Sequence, residues 1–540
     1  MLQNHPFTRG GFWLKAGIAF LLAALADALF FFHQPGATLG AFALAWVIGV
    51  AFARPGLRRD PRALFALAAA VLLALVLIDR PGVLAWALFG LMLSVAVLSA
   101  RVRAGDPVWR WAQRLVAHAV VSAVGPVIDL ARLTRPRRRS RRGGLSLWRL
   151  AKMLVLPLTG GAVFLALFAS ANPLISNALD QVRAPSLSGE TILRAWFWGL
   201  VLLTVGATLR PRWRRKLIAL PSLGDARIPG VSGASITLSL VVFNALFALQ
   251  NGLDLAFLWS GAELPEGVTL AEYAHRGAYP LIATALLAGL FVLVALRPGS
   301  ETARKPLVRT LVVLWVGQNM LLVASSLLRT ADYIEAYALT RFRIAAMIWM
   351  VLVAAGLLLI LWRMLRGNDG HWLIDANVRL TLVVLALVST VDLGAVAAAW
   401  NVRHAREIDG TGAILDLGYL RFLGAPALVS LVELEQRTED PELRDRAAAV
   451  RAELHAQVRR QQSGWRGWTW RDARRLERIE ALTRNRPLAR PQPGPRNRDG
   501  SLRSLAPALP TLPAPSFEEP VPAPPPPASP PQPLTSGPGA

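Results

Sequence analysis

Cysteine is absent from all 540 residues, which excludes disulfides and thiolate chemistry and leaves redox usage silent about compartment. Acids are scarce: 34 Asp and Glu stand against 59 Lys and Arg, a net charge of +25. Charged residues of either sign make up only 17% of the chain and hydrophobic ones 54%, too apolar a balance for an ordinary soluble assembly of domains. Also missing are a P-loop, a dinucleotide glycine pattern and a G-x-S-x-G elbow, so no soluble-type nucleotide engine or hydrolase elbow is written here. The 7 histidines are scattered without metal-ligand spacing. That pattern supports no zinc or iron site, and no cofactor is expected.

What is present is a series of apolar runs. A bilayer core about 30 Å thick takes roughly 20 helical residues to cross, and lipid offers no partner to a bare backbone, so these runs read as transmembrane helices. They fall near 13–32, 36–53, 63–78, 82–100, 150–171, 192–209, 234–256, 278–296, 308–328, 343–362 and 379–399, about eleven crossings. The fold class is therefore all-α, a polytopic transmembrane helix bundle. The first run lacks a small-residue cleavage site and carries Asp27, so it reads as a retained helix and not a signal peptide.

Arginine then orients the bundle. With the N-terminus inside, one set of loops holds Arg54, Arg58, Arg59 and Arg62, the segment 101–149, Arg210 to Lys216, Arg297 to Lys305, and Arg363 and Arg366. The opposite loops hold far fewer, so the positive-inside rule places the N-terminus in the cytoplasm and the C-terminus outside it. Within 101–149, "AQRLVAHAVVSAVGPVIDLA" is expected to lie on the surface or partly buried, with Trp109 and Trp111 at headgroup level, because a crossing there would export "RPRRRSRRGG". The bilayer and anionic lipid headgroups are the partners this basic loop suggests. Nucleic acid is disfavoured, since basic loops are what topology demands of an inner-membrane protein.

The chain divides into a four-helix segment (1–100), the basic loop (101–149), a core of about seven helices (150–400), a small exported helical domain (401–485) and a Pro-rich tail (486–540). The tail cannot bury enough apolar surface to offset its ordering entropy and is expected to be disordered.

Polar residues inside the spans are costly unless they face protein or water. Asp27, Asn244, Gln318, Asn319 and Asp392 are the clearest, with interhelical hydrogen bonding the plain reading and a transport path the sharper one. Tyrosine gives a second signal. All 5 of them, Tyr273, Tyr279, Tyr333, Tyr337 and Tyr419, fall in or beside loops on the outer side, among charged company. A candidate outer polar surface follows: Glu272, Tyr273, His275 and Arg276 from one loop; Asp332, Tyr333, Glu335, Tyr337 and Arg341 from "RTADYIEAYALTRFR"; and Asn401 from a third. Tyr333, Tyr337 and Arg341 would form one helical stripe. Asp332 and Glu335 are expected to offset Arg329, Arg341 and Arg343.

"ASANPLI" (169–175), "NALFALQNGLDLAFLWSGAELPEGVTLAEYAHRGAYPL" (244–281), "YIEAYALTRFRI" (333–344), "WNVRHA" (400–405) and "LDLGYLRFLGAPAL" (415–428), followed by "GWRGWTWRDARRLERI", resemble a bacterial membrane family, domain of unknown function 4173 (DUF4173), and its relative 4153. The resemblance covers roughly residues 150–480 and brings no activity, substrate or catalytic residue. Where the family shows Tyr-Gly-Leu-Thr, this chain has Tyr337, Ala338, Leu339 and Thr340, which puts any need for a glycine conformation there in question. Three function classes stay open. The favoured one is a non-enzymatic envelope scaffold, sensor or assembly partner, with another envelope protein as its partner. The second is a secondary transporter. The third is an intramembrane transferase or hydrolase using His275 with Glu272, or His404 with Asp409.

Overall fold

The computed structural model describes residues 9–99, 105–123, 188–211, 233–259 and 305–503, with isolated positions between them. The described residues are helical throughout, and their only β feature is one bridge between Arg496 and Leu502. The first part runs α1 (Arg9–Phe30), α2 (Thr38–Ala53), α3 (Pro61–Asp79), α4 (Val83–Ser99), α5 (Val108–Ala123), α6 (Gly189–Leu209) and α7 (Gly233–Asp254). The second runs α8 (Pro306–Tyr337), α9 (Arg341–Arg366), α10 (Gly370–Thr390), α11 (Leu393–Arg403), α12 (Arg406–Asp409), α13 (Leu417–Leu423), α14 (Leu428–Arg437), α15 (Pro441–Ser463) and α16 (Trp470–Thr483).

Seven of these helices are long and apolar enough to cross a bilayer: α1, α3, α6, α7 with the turn that follows it, α8, α9 and α10. α2 and α4 are shorter apolar helices. The chain is thus a multi-pass membrane protein. The runs expected at 150–171 and 278–296 lie outside the described residues. The run expected at 379–399 is displaced: α10 starts at Gly370, under an Asp369 cap, and ends at Thr390. Asp392 then caps a separate helix by accepting from the Gly394 and Ala395 amides. An N-cap aspartate satisfies orphan amides of a new first turn, which is why the apolar stretch breaks there. Few as they are, acids repeatedly serve this purpose, with Asp60, Asp416 and Asp440 capping α3, α13 and α15.

The bundle has two distinct ends. Asp27 near the close of α1 meets Arg194 near the start of α6, at 3.1 Å. Arg80 after α3 meets Asp392 at 3.2 Å. Helices α7 and α8 run parallel, because hydrogen bonds join Asn244 to Leu311, Asn251 to Gln318 and Trp259 to Ser325 in ascending register. At the other end Arg54 donates to the Val97 carbonyl, Arg62 to the Val102 carbonyl, and Arg210 lies over Phe12. Helix α5 is tied to the foot of α10 by the Val108 amide donating to Asp375. Trp111 and Leu115 of α5 pack on the core of α1 to α4, while Trp109 stays exposed.

The C-terminal unit caps the first of these ends. Its core gathers Leu417, Leu420, Leu428, Leu431, Leu443, Val450 and Leu454, and also takes in Ile334 from the end of α8 and Leu339 from the α8–α9 turn. It is therefore continuous with the bundle end. The Gly36 amide donates to the Arg466 carbonyl at 2.9 Å and the Ala37 amide to the Trp468 carbonyl at 2.6 Å, knitting the α1–α2 turn to the α15–α16 loop. A Cβ on Gly36 would meet the backbone of Gly467 at 2.5 Å, so this approach needs glycine. Arg471 and Arg474 pair with Asp79, and Arg475 with Asp392.

The expected start of the disordered tail at 486 falls inside a packed segment. Arg496 pairs with Asp445 at 2.7 Å, Asp499 with Arg446 at 2.8 Å, and the Ala489 carbonyl accepts from Arg451 at 2.8 Å. Composition concealed this because the segment is held mainly by arginine–carboxylate pairs and a backbone bridge, with Leu488 packed on the capping unit's apolar core. Residues beyond 503 lie outside the described set.

Candidate functional site

Ala338 follows the last residue of α8 with φ 65° and ψ 167°, in the left-handed half of backbone space that disfavours any residue with a Cβ. Its neighbours over-determine this geometry. Asn401 accepts from the Leu339 amide at 2.7 Å and donates back to the Leu339 carbonyl at 3.0 Å, a two-bond clamp on one residue. The Arg341 amide donates to the Tyr419 hydroxyl at 3.0 Å. Arg343 donates to the carbonyls of Tyr337 and Ala338, and the Thr340 side chain caps α9. The doubted glycine conformation is thus present without the glycine.

Next to this turn lies a cleft of about 690 Å³ between the end of α8, the end of α11 and the 411–415 loop. Asp332, Glu335, Trp400, Asn401 and His404 line it. Trp400 and His404 stack with ring centroids 4.0 Å apart, one turn apart on α11, and His404 Nδ1 lies 3.0 Å from the Trp400 carbonyl. Gly412 sits at φ 87°, where a Cβ would meet the His404 carbonyl at 2.5 Å. The cleft therefore presents two carboxylates and a stacked aromatic pair, a lining suited to recognising an amphipathic or cationic group. His404 has no hydrogen bond to Asp409, so the structure does not assemble that acid/base couple.

Several sequence expectations are corrected here. Among the described residues Asp332 and Glu335 form no ion pair. Arg329 turns inward to Asp254, with both side chains buried, because a cation in that position needs a partner inside the bundle. Arg343 lies over Tyr333 at 4.4 Å, and Arg341 over Phe422 at 5.4 Å. Tyr333 and Tyr337 do share a stripe, their rings 4.8 Å apart, but Arg341 begins the next helix. Glu272, Tyr273, His275 and Arg276 lie outside the described residues. Trp400 was not singled out by sequence reasoning, and His404 only as an acid/base candidate, although "WNVRHA" carries both.

The polar residues placed within spans divide into two groups. Gln318 donates to Asn244 Oδ1 at 3.0 Å and Asn244 donates to the Leu311 carbonyl at 3.0 Å, joining α7 to α8, while Asn319 donates back to Trp315 in its own helix at 2.7 Å. That is the interhelical bonding expected of buried amides. Asp27 and Asp392 instead lie at the domain-capped end, each with an arginine, and neither is an isolated acid at mid-span.

A family model described as Domain of unknown function (DUF4153) matches residues 64–434. The matching family is thus the relative of the one the quoted segments most resemble. The match takes in the strained turn, the cleft and Asn401, and stops within α14, leaving α1, α2, most of the capping unit and the 464–470 loop outside it. No curated protein and no solved structure matches the chain.

Proposed function

Because the chain belongs to the DUF4153 family and spans a membrane several times, we propose that it is a non-enzymatic envelope protein acting through its domain-capped end. In this reading it is a scaffold, sensor or assembly partner in a bacterial inner membrane. Its N-terminus is cytoplasmic and its capped end faces out, the orientation that the arginine-rich loops of the opposite end support. The observation that carries the reading is the Ala338 turn beside the cleft. Backbone strain of this kind costs on the order of 1–3 kcal/mol and persists only where surroundings impose it, which is typical of recognition sites. Two carboxylates without cationic partners among the described residues, in a chain of net charge +25, offer a contact for a partner's cation.

The transporter reading rests on the α7–α8 seam alone, where Asn251, Gln318 and Asn319 each keep a buried side-chain oxygen without a hydrogen-bond donor among the described residues. It is the second choice, since Asp27 and Asp392 are engaged at one end.

Asp332→Asn and Glu335→Gln, singly and together, test the first choice. Unchanged expression and melting with loss of the cellular phenotype supports it; full complementation by the double variant refutes the cleft's role.

A further inference from the structure

The loop "GWRGWTW" (464–470) has a role that neither the cleft nor the family match absorbs. It carries exposed Trp465 (62%), Trp468 (37%) and Trp470 (54%), an extravagant use of the residue at a protein surface. Arg466 stacks on Trp465 at 4.6 Å, and Arg474 on Trp470 at 5.2 Å. The loop is bonded backbone to backbone with the α1–α2 turn, and Arg466 Nε donates to the Ala28 carbonyl at 3.1 Å. Its level is therefore that of the end of α1, whose apolar span closes at Phe30. Beside it Phe32, at φ 57°, leaves 70% of its surface exposed.

Between the two loops lies a groove of about 270 Å³, lined among others by His33, Gln34, Arg460, Trp465 and Arg466. No acid lines it, and neither arginine has a carboxylate partner among the described residues. Tryptophan rings favour the headgroup zone of a bilayer, where one side of the ring is apolar and the other wet. Arginine attracts anionic headgroups there, and its planar fork suits phosphate. We propose that this groove seats the phosphate of an anionic phospholipid, anchoring the capping unit to the outer membrane surface. The inference rests on the membrane-spanning reading of α1. It makes the α1–α2 turn and the 464–470 loop, which both lie outside the family match, one lipid-reading unit.

The cysteine-free chain allows a direct test in the full-length protein. A bimane label at Phe32→Cys, in nanodiscs of phosphatidylcholine, is read for quenching by lipids brominated high on the acyl chain, carried on either phosphatidylglycerol or phosphatidylcholine. The expected result is stronger quenching by the brominated phosphatidylglycerol at equal mole fraction. Arg460→Gln, an exposed position, should lower that relative preference about fivefold, the worth of one arginine at a charged bilayer surface. Equal quenching by the two lipids, or a preference untouched by Arg460→Gln, overturns the proposal. So does a preference cancelled by millimolar inorganic phosphate, which would mark a free-phosphate site. A label at Leu21→Cys, a 70% exposed position midway along α1, read with lipids brominated near the end of the acyl chain, separates the premises. If it is quenched while position 32 shows no lipid preference, only the lipid site fails. If it is not quenched at all, the spanning reading fails.

Discussion

Replacing Ala338 with glycine should stabilise the protein, against the usual direction of alanine-to-glycine changes. At φ 65° and ψ 167° a Cβ-bearing residue pays on the order of 1–3 kcal/mol. Glycine removes that cost but brings extra freedom to the unfolded chain, worth roughly 0.5–1 kcal/mol the other way. The difference is a gain of about 0.5–2 kcal/mol, or a few degrees in melting temperature. Because Asn401 brackets Leu339 with two hydrogen bonds and Tyr419 holds the Arg341 amide, the turn keeps its path in the variant, and the gain is not lost to loosening. Thermal unfolding of the purified protein in detergent measures the shift, and hydrogen exchange at the Leu339 amide reports the turn itself. Ala338→Val gives the opposing arm, since a β-branched residue is least tolerated at positive φ. A lower melting temperature for Ala338→Gly, together with a harmless Ala338→Val, would refute the reasoning, because it would mean the backbone at 338 is not left-handed. A stabilised Ala338→Gly that loses the cellular phenotype would tie the strain to function.

Three further outcomes follow from the capping unit. Glu435→Ala leaves the buried Arg451 guanidinium without the carboxylate 2.5 Å away and should cost about 3–5 kcal/mol, read as a lowered melting temperature; the retained Ala489 contact sets the low end as the expected value. Truncation after Arg503 should leave melting unchanged, whereas truncation after Arg486 removes the partners of Asp445, Arg446 and Arg451 and should lower it. The side-chain bonds from Arg496 to Asp445, and the Ser501 hydroxyl bond to Asp499, hold both carboxyls below the usual aspartate range. A depressed folded-state value stabilises above the unfolded aspartate value near 3.9 and is lost as pH falls through the folded one, so the protection of amides across 489–503, taken relative to their intrinsic exchange rate at each pH, should be high at pH 5 and fall below about pH 4.

Most of the fold was legible because crossing a bilayer imposes a length and a composition that few other structures need. The errors are concentrated where individual polar groups decide. Asp392 reads in sequence as an acid within an apolar run, but its carboxylate caps α11 and meets Arg80 and Arg475, which sit 312 residues before it and 83 after it in the chain. No local pattern announces such partners. Arg329 likewise reads in sequence as offset by the nearby Asp332 and Glu335, when Asp254 on a parallel helix claims it.

The site was legible to a lesser degree, and for a different reason. Scarce tyrosine and clustered charge drew notice to 329–343 and to Asn401, and the fold brings those two stretches to one turn. The turn's defining feature is a backbone conformation at Ala338, and alanine gives no hint of it; only the comparison with a glycine-bearing pattern raised the question. The strain is affordable because Asn401, Tyr419 and Arg343 come from α11, α13 and α9, three elements whose packing fixes the turn independently of residue 338. Their agreement on one geometry means that loosening Tyr419 or Arg343 alone should leave Ala338 in place. Asn401→Ala is the exception, since it alone withdraws two bonds from a buried backbone and exposes the Leu339 amide and carbonyl to an unmet hydrogen-bonding cost of about 1–3 kcal/mol.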